Sequence, residues 1–278
     1  MKIKIWGTRG SIPSPGPDNN HYGGNTSCVQ VTTDEAFIIL DAGSGIRRLS
    51  GQVPEGITRI DILLTHLHMD HIIGLGFFGP LYNSAITVNL YGPSSTRESL
   101  EKRLSRYLSP PIFPIRLSDL PCQLNLIEID QSEFKIGDLT IKSTYVCHPG
   151  ATIGFRVENG TSVLTYLPDH EPVLGSTNFP YEPEWTSGYD LAKGADLLLH
   201  DAQYTPEEYR PRVGWGHSTI PDALAFAKMT AVKKMMFFHH DPSHSDRQLD
   251  NLLKAAKREK SYPFELGIAA EGDEYYLP

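Results

Sequence analysis

The chain has 278 residues and a formal net charge of −8, with 40% hydrophobic and 21% charged residues. That composition is ordinary for a soluble globular protein and supplies one large domain or two small ones. An acidic balance argues against gripping a long nucleic acid, since basic faces that neutralise phosphate supply most of that affinity. No apolar run approaches the ~20 residues a membrane helix needs.

Met1–Trp6 alternates like a strand and lacks the apolar core and cleavage site of a signal peptide. Cys28, Cys122 and Cys147 are widely spaced and form no CxxC pair, which suits reduced thiols and a cytoplasmic location. Strands are predicted at Ile3–Trp6, Ser27–Thr33, Ala36–Leu40, Ile60–Thr65 and Thr87–Tyr91, with helices at Ile72–Tyr82 and Ser95–Ser105. Further strands are predicted at Gln123–Glu128, Leu139–Val146, Ile153–Glu158 and Ser162–Leu167. The remainder alternates: helix Tyr189–Lys193, strand Asp196–His200, helix Pro221–Met229, strand Lys234–His239, helix Asp246–Lys260 and strand Phe264–Ala269.

The pattern predicts an α/β fold in which two mixed sheets pack together with helices outside. No repeat or low-complexity linker divides it, so residues 1–278 read as a single domain. Pro-rich Tyr107–Pro121 and Pro168–Trp185 read as long surface loops flanking the active site. Arg97–Arg106, with Glu98 and Glu101 among its basic residues, reads as a solvated helix face. That helix and the two loops are candidates for a homodimer contact.

The most informative segment is Thr65-His66-Leu67-His68-Met69-Asp70-His71, directly after the apolar run Ile60–Leu64. Three imidazoles and a carboxylate at one strand end suit Zn²⁺, Mn²⁺ or Fe. In an extended stretch alternate side chains share a face, so His66, His68 and Asp70 would converge and His71 would serve a second metal. Other strands run into polar residues in the same manner: Cys147-His148, Asp169-His170, His200-Asp201 and His239-His240-Asp241-Pro242. Cys147 offers a soft ligand beside His148 but reads better as a buried hydrophobe. His170 and His244 read as surface residues. Asp41, before Ala42-Gly43-Ser44-Gly45, reads as a carboxylate that orients a ligating imidazole.

This combination resembles the metallo-β-lactamase superfamily, whose signature is HxHxDH followed by distant His, Asp and His. The likeness runs from Gly7-Thr8-Arg9-Gly10-Ser11 to the last His-rich turn. Tyr166-Leu167-Pro168-Asp169, together with Asp201 and Gly216-His217-Ser218-Thr219, brings it nearest the phosphodiesterase branch that includes ribonuclease Z and cyclic-phosphate phosphodiesterases. The resemblance implies a four-layer αββα sandwich and two divalent metal ions, zinc first and manganese or iron as alternatives. It implies one metal on His66, His68 and His148, and another on Asp70, His71 and a late histidine, with Asp169 bridging. Pro242 fits the family register for His239 as the late ligand; His240 is the alternative.

Implied catalysis is hydrolysis by metal-activated hydroxide. Asp70 orients or deprotonates the nucleophile, and His217, held by Asp201, protonates the leaving alkoxide. The expected substrate is a small anionic phosphodiester such as a cyclic nucleotide. Ribonuclease Z action on tRNA is the rival, but the region Tyr91–Leu120 is short for a tRNA-gripping arm. Lactone, thioester or β-lactam hydrolysis is the other alternative, on the same dinuclear centre. The superfamily's di-iron oxidases carry Glu where this chain has His68, which argues against redox chemistry. The retained ligand set argues against a non-catalytic binding module.

Overall fold

A computed structural model describes residues 1–174 and 179–278. The strands are β1 (Lys2–Gly7), β2 (Cys28–Thr32), β3 (Phe37–Leu40), β4 (Arg59–Leu63), β5 (Thr87–Pro93), β6 (Gln123–Ile129) and β7 (Ser132–Ile136). They continue as β8 (Leu139–Tyr145), β9 (Ile153–Asn159), β10 (Ser162–Leu167), β11 (Leu197–Asp201), β12 (Lys234–Phe238), β13 (Glu265–Ile268) and β14 (Glu274–Tyr276). One sheet has the order β14-β1-β2-β3-β4-β5-β6, the other β13-β12-β11-β10-β9-β8-β7. Each is antiparallel in one half and parallel in the other.

Both faces of the central strands are covered, which is why they read as continuous apolar runs. In β3, Ile38 and Leu40 join Ile5, Val31, Phe155, Tyr166 and Phe238 in the core between the sheets. The intervening Phe37 and Ile39 face a second core, closed by helix α1 (Ile46–Ser50), the short α2 (Met69–Ile72) and α3 (Leu100–Leu104). On the far side, α4 (Tyr189–Ala192), α6 (Ile220–Met229) and α7 (Asp246–Glu259) cover the second sheet. The short α5 (Pro206–Tyr209) follows β11. Three apolar interfaces between four layers make the αββα sandwich expected.

Strand direction gathers the site at one edge. β3 and β4 are parallel, as are β10, β11 and β12. β8 runs the same way as β10, because each is antiparallel to β9. Residues that follow these strands therefore emerge together at the carboxyl ends. Ile153 N donates to Thr65 O at 2.9 Å, tying the two sheets beside the first histidine.

Some sequence expectations fail locally. Ile72–Tyr82 is not one helix: after α2 come two 3₁₀ turns, Leu75–Phe77 and Gly79–Tyr82, in a stretch broken by Gly74, Gly76, Gly79 and Pro80. Ser95–Ser105 forms a helix only from Leu100, where the Ser99 hydroxyl accepts from Lys102 N. Tyr107–Pro121 is not simply a surface loop, since Tyr107, Leu108, Phe113 and Leu117 are buried in the core. Residues 175–178 of the Pro168–Trp185 loop lie outside the described residues. The hairpin strand β7 was not anticipated, although Ser132–Ile136 alternates and runs into a Gly137-Asp138 turn.

Candidate metal centre

Thr65 ends the extended run after β4, and the next residues turn rather than alternate. His68 occupies the N-cap of α2, so Asp70 and His71 leave on a helical turn. This corrects the expectation that His66, His68 and Asp70 share one face. His66 and His68 instead group with His148, which follows β8, while Asp70 and His71 group with Asp169 and His239. In each group the ligand-capable atoms lie within 4.8 Å of one another.

The two groups meet at Asp169. Its Oδ1 lies 3.8 Å from His66 Nε2, 3.7 Å from His148 Nε2 and 3.3 Å from His239 Nε2, while Oδ2 is 2.9 Å from His71 Nε2. Asp70 Oδ2 is 3.3 Å from His71 Nε2 and 3.1 Å from His239 Nε2. His68 Nδ1 and His148 Nε2 are 3.1 Å apart.

The opposite ring nitrogens are occupied, which frees the converging ones. His71 Nδ1 donates to Asp41 at 2.7 Å, His148 Nδ1 to Gly216 O at 2.8 Å and His239 Nδ1 to the Gln203 amide oxygen at 3.0 Å. Thr65 Oγ1 lies 3.1 Å from His66 Nδ1 and donates onward to Asp41. Backbone fits closely around these rings. A Cβ on Gly10 would fall 2.4 Å from the His239 ring, and one on Gly216, at φ +85, would fall 2.4 Å from His148 Nδ1. Gln203 carried no sequence signal, being neither ionisable nor part of the repeated His/Asp pattern.

The donors fit a divalent cation. His66 Nε2 is buried without a hydrogen-bond partner, and His71 Nε2 and Asp169 Oδ2 face each other, 2.9 Å apart and poorly aligned for a hydrogen bond, a costly state that a cation among them would relieve. Burial keeps His66 well below its ordinary pKa and holds His148 down to about 4, so both are neutral and able to ligate. Burial opposes ionisation of Asp169, but His239 and His71 outweigh it and hold the carboxyl well below its usual range. The two groups are thus suited to hold divalent metal.

His217 lies within the same 4.8 Å ligand spacing of His148 and Asp169, and of Asp201 and His239, and its Nδ1 is 2.7 Å from Asp201 Oδ2. The His217 ring stacks on His239 with centroids 5.0 Å apart and stands edge-on to His148 at the same centroid distance. Burial disfavours charge on His217, yet Asp201, Asp169 and Asp70 together raise its pKa. Asp201 also accepts from Gln203 N at 3.0 Å and Ser218 N at 3.2 Å, which fixes it in place.

Several expectations are corrected here. His170 is not on the surface: it is fully buried, with Nδ1 2.9 Å from His200 Nε2 beneath Phe226. His244 is buried too, with Nε2 2.8 Å from Glu208 and its carbonyl accepting from Arg9 at 2.6 Å. His240 turns away from the cluster and lies 3.0 Å from Ala269 O, so His239 is the histidine in the group. Cys147 is half-buried and belongs to neither group. The Arg97–Arg106 segment is not merely a solvated face. Arg97, Arg103 and Arg106 line a cavity of about 840 Å³ together with His66 and His68.

Residues 37–240 match the Beta-lactamase superfamily domain. The chain is 20% identical, over 317 aligned positions covering 99% of it and 96% of the relative, to ribonuclease Z of Haloarcula marismortui. Its fold is similar to the metallo-β-lactamase fold protein YhfI from Bacillus subtilis (TM-score 0.71, 20% identity, 99% and 98% of the chains covered). It is also similar to a diphosphatase from the PhnP family (TM-score 0.70, 19% identity, 100% and 98% covered). The chain belongs to the β-lactamase superfamily. Among the described residues, no helix is long and apolar enough to cross a membrane.

Proposed function

We propose that this enzyme hydrolyses a small phosphodiester such as a cyclic nucleotide, using two divalent ions, zinc first. The observation that carries the reading is the 2.7 Å contact between His217 and Asp201 beside both ligand groups. An alkoxide is a poor leaving group and needs a proton; the thiolate of a thioester needs one far less. His66, His68 and His148 would hold one ion and Asp70, His71 and His239 the other, with Asp169 contributing where the two groups meet. Bound there, divalent ions would supply Lewis acidity that lowers the pKa of a water and offsets charge on a phosphoryl group.

The remaining work belongs to side chains. Asp70, held by Ser11 N at 2.7 Å, orients the attacking water and accepts its proton. His217 has Nδ1 committed to Asp201, so the proton it gives the leaving oxygen sits on Nε2. A cavity of about 840 Å³ is of small-molecule size, and a net charge of −8 disfavours a long RNA. Processing of tRNA is the second reading, favoured by the full-length likeness to ribonuclease Z.

The test is hydrolysis by protein stripped with chelator and reloaded with Zn²⁺ or Mn²⁺. The substrates are bis(p-nitrophenyl) phosphate, 2′,3′- and 3′,5′-cyclic nucleotides, a tRNA precursor, a lactone and a thioester. Metal-dependent turnover of the cyclic nucleotides is expected. Cleavage of the precursor alone would favour the tRNA reading, and turnover of lactones or thioesters alone would overturn both.

A further inference from the structure

The wall of the large cavity has a composition at odds with the rest of the molecule. The chain as a whole has a net charge of −8, yet the cavity lining carries Arg97, Arg103 and Arg106 and no Asp or Glu. Lys102, next to Arg103, is turned to Glu98 at 3.0 Å and does not line it. Three guanidiniums without a lysine is the choice suited to planar, bidentate recognition of oxyanions.

The three arginines are differently prepared. Arg103 donates to Pro93 O at 2.6 Å and lies 3.8 Å from Glu128, which fixes its direction. Arg106 pairs with Glu98. Arg97 makes no ion pair among the described residues, although its backbone is fixed by the Ser95 hydroxyl at 3.2 Å. Tyr145 and Ser94, hydrogen-bonded at 3.0 Å, add hydroxyls to the same wall. His66 and His68 line the same cavity. A substrate held in this cavity with its scissile group at the histidines shares it with the arginines.

We propose that this cavity binds a second phosphate of the substrate, distant from the one cleaved, with Arg97 as its direct contact and Arg103 and Arg106 flanking it. The proposal rests on the small-phosphodiester reading, since it takes the cleaved group to sit at the histidines. A dianionic phosphate matches the wall better than a carboxylate, because its three oxygens can engage more than one guanidinium at once.

Calorimetry on the metal-loaded protein at 0.15 M salt tests it, with adenosine 3′,5′-bisphosphate and adenosine 3′-monophosphate as probes. The bisphosphate should bind about tenfold or more tighter, the scale of a charge-assisted hydrogen bond. Arg97→Ala should abolish that difference while leaving monophosphate affinity within about twofold, well under the ~1.4 kcal/mol of a tenfold change. Arg47→Ala on α1 removes the same charge elsewhere and should preserve the difference. Equal affinities in the wild type, no binding of either nucleotide, or equal losses in both variants would overturn the proposal. Arg97-dependent binding of tRNA without preference between the nucleotides would overturn it in favour of an RNA groove. Discrimination between the nucleotides without turnover of any diester would leave the anion site standing and remove the phosphodiesterase reading.

Discussion

His71 Nδ1 lies 2.7 Å from Asp41 Oδ2, and that hydrogen bond joins the end of β3 to the metal-ligand cluster after β4. Asp41 also accepts from Thr65 N at 2.7 Å and Tyr166 Oη at 3.0 Å, and it sits at φ 59. So many donors converge on it that only a carboxylate satisfies them all. Asp41→Asn keeps the left-handed backbone, which Asn tolerates, but replaces acceptor capacity with an NH₂ group. It should weaken metal binding at Asp70, His71, Asp169 and His239 by about 10–100-fold. Competition against a chelator would measure this; unchanged affinity at both ions would show that Asp41 does not tune His71.

His217→Ala should lower kcat for an alkyl phosphodiester by about 100-fold or more, the scale of a lost general acid. Metal content should be unchanged. The loss should be much smaller with bis(p-nitrophenyl) phosphate, whose leaving group needs little protonation. Asp201→Asn should follow the same split between substrates, since Asp201 acts through His217 Nδ1. An equal loss on both substrates, or loss of metal, would assign His217 a ligand or packing role instead.

Arg9 is fully buried and was visible in the sequence only as part of a short motif. Its guanidinium donates to Gly23 O at 2.8 Å, Asp241 O at 3.1 Å and His244 O at 2.6 Å, binding the N-terminal loop to the turn after His239. Arg9→Met fills much of the volume but leaves those carbonyls unpaired and should cost on the order of 3–5 kcal/mol. Urea unfolding would read this as a lowered midpoint. A midpoint within experimental scatter of the wild type would mean water replaces the guanidinium at little cost.

The histidines and aspartates were legible because each stands where an apolar run stops, and parallel strands bring such positions to one edge. The arginine wall was not legible. Glu98 and Lys102 form an i,i+4 pair that looks like a solvated face, and nothing local shows which way the segment turns. Its direction is set from outside: Glu128, at the end of β6, accepts the Leu100 N–H, and Pro93 O captures Arg103. His170, paired with His200, reads as a surface residue in the sequence for a related reason. Their partners are each other and α6, and a pairing across 30 residues has no periodicity to reveal it.

The last two histidines offer a contrast between neighbours. His239 has φ 56, a left-handed turn at the end of β12 that aims its ring at Asp70 and Asp169. His240 then resumes toward the interior, with Nε2 3.0 Å from Ala269 O, and burial holds its pKa down to about 3. His239→Asn preserves the backbone, because Asn is tolerated at positive φ, but withdraws the ring nitrogen; it should lose one ion and nearly all activity. His240→Leu should keep both ions, since its ring belongs to neither ligand group. It should cost about 1–3 kcal/mol by leaving the Ala269 carbonyl unpaired in the core. Metal analysis beside thermal unfolding separates the two cases. Loss of an ion in the His240 variant, with His239→Asn retaining both, would transfer the ligand to His240 and require the turn at His239 to rearrange on binding.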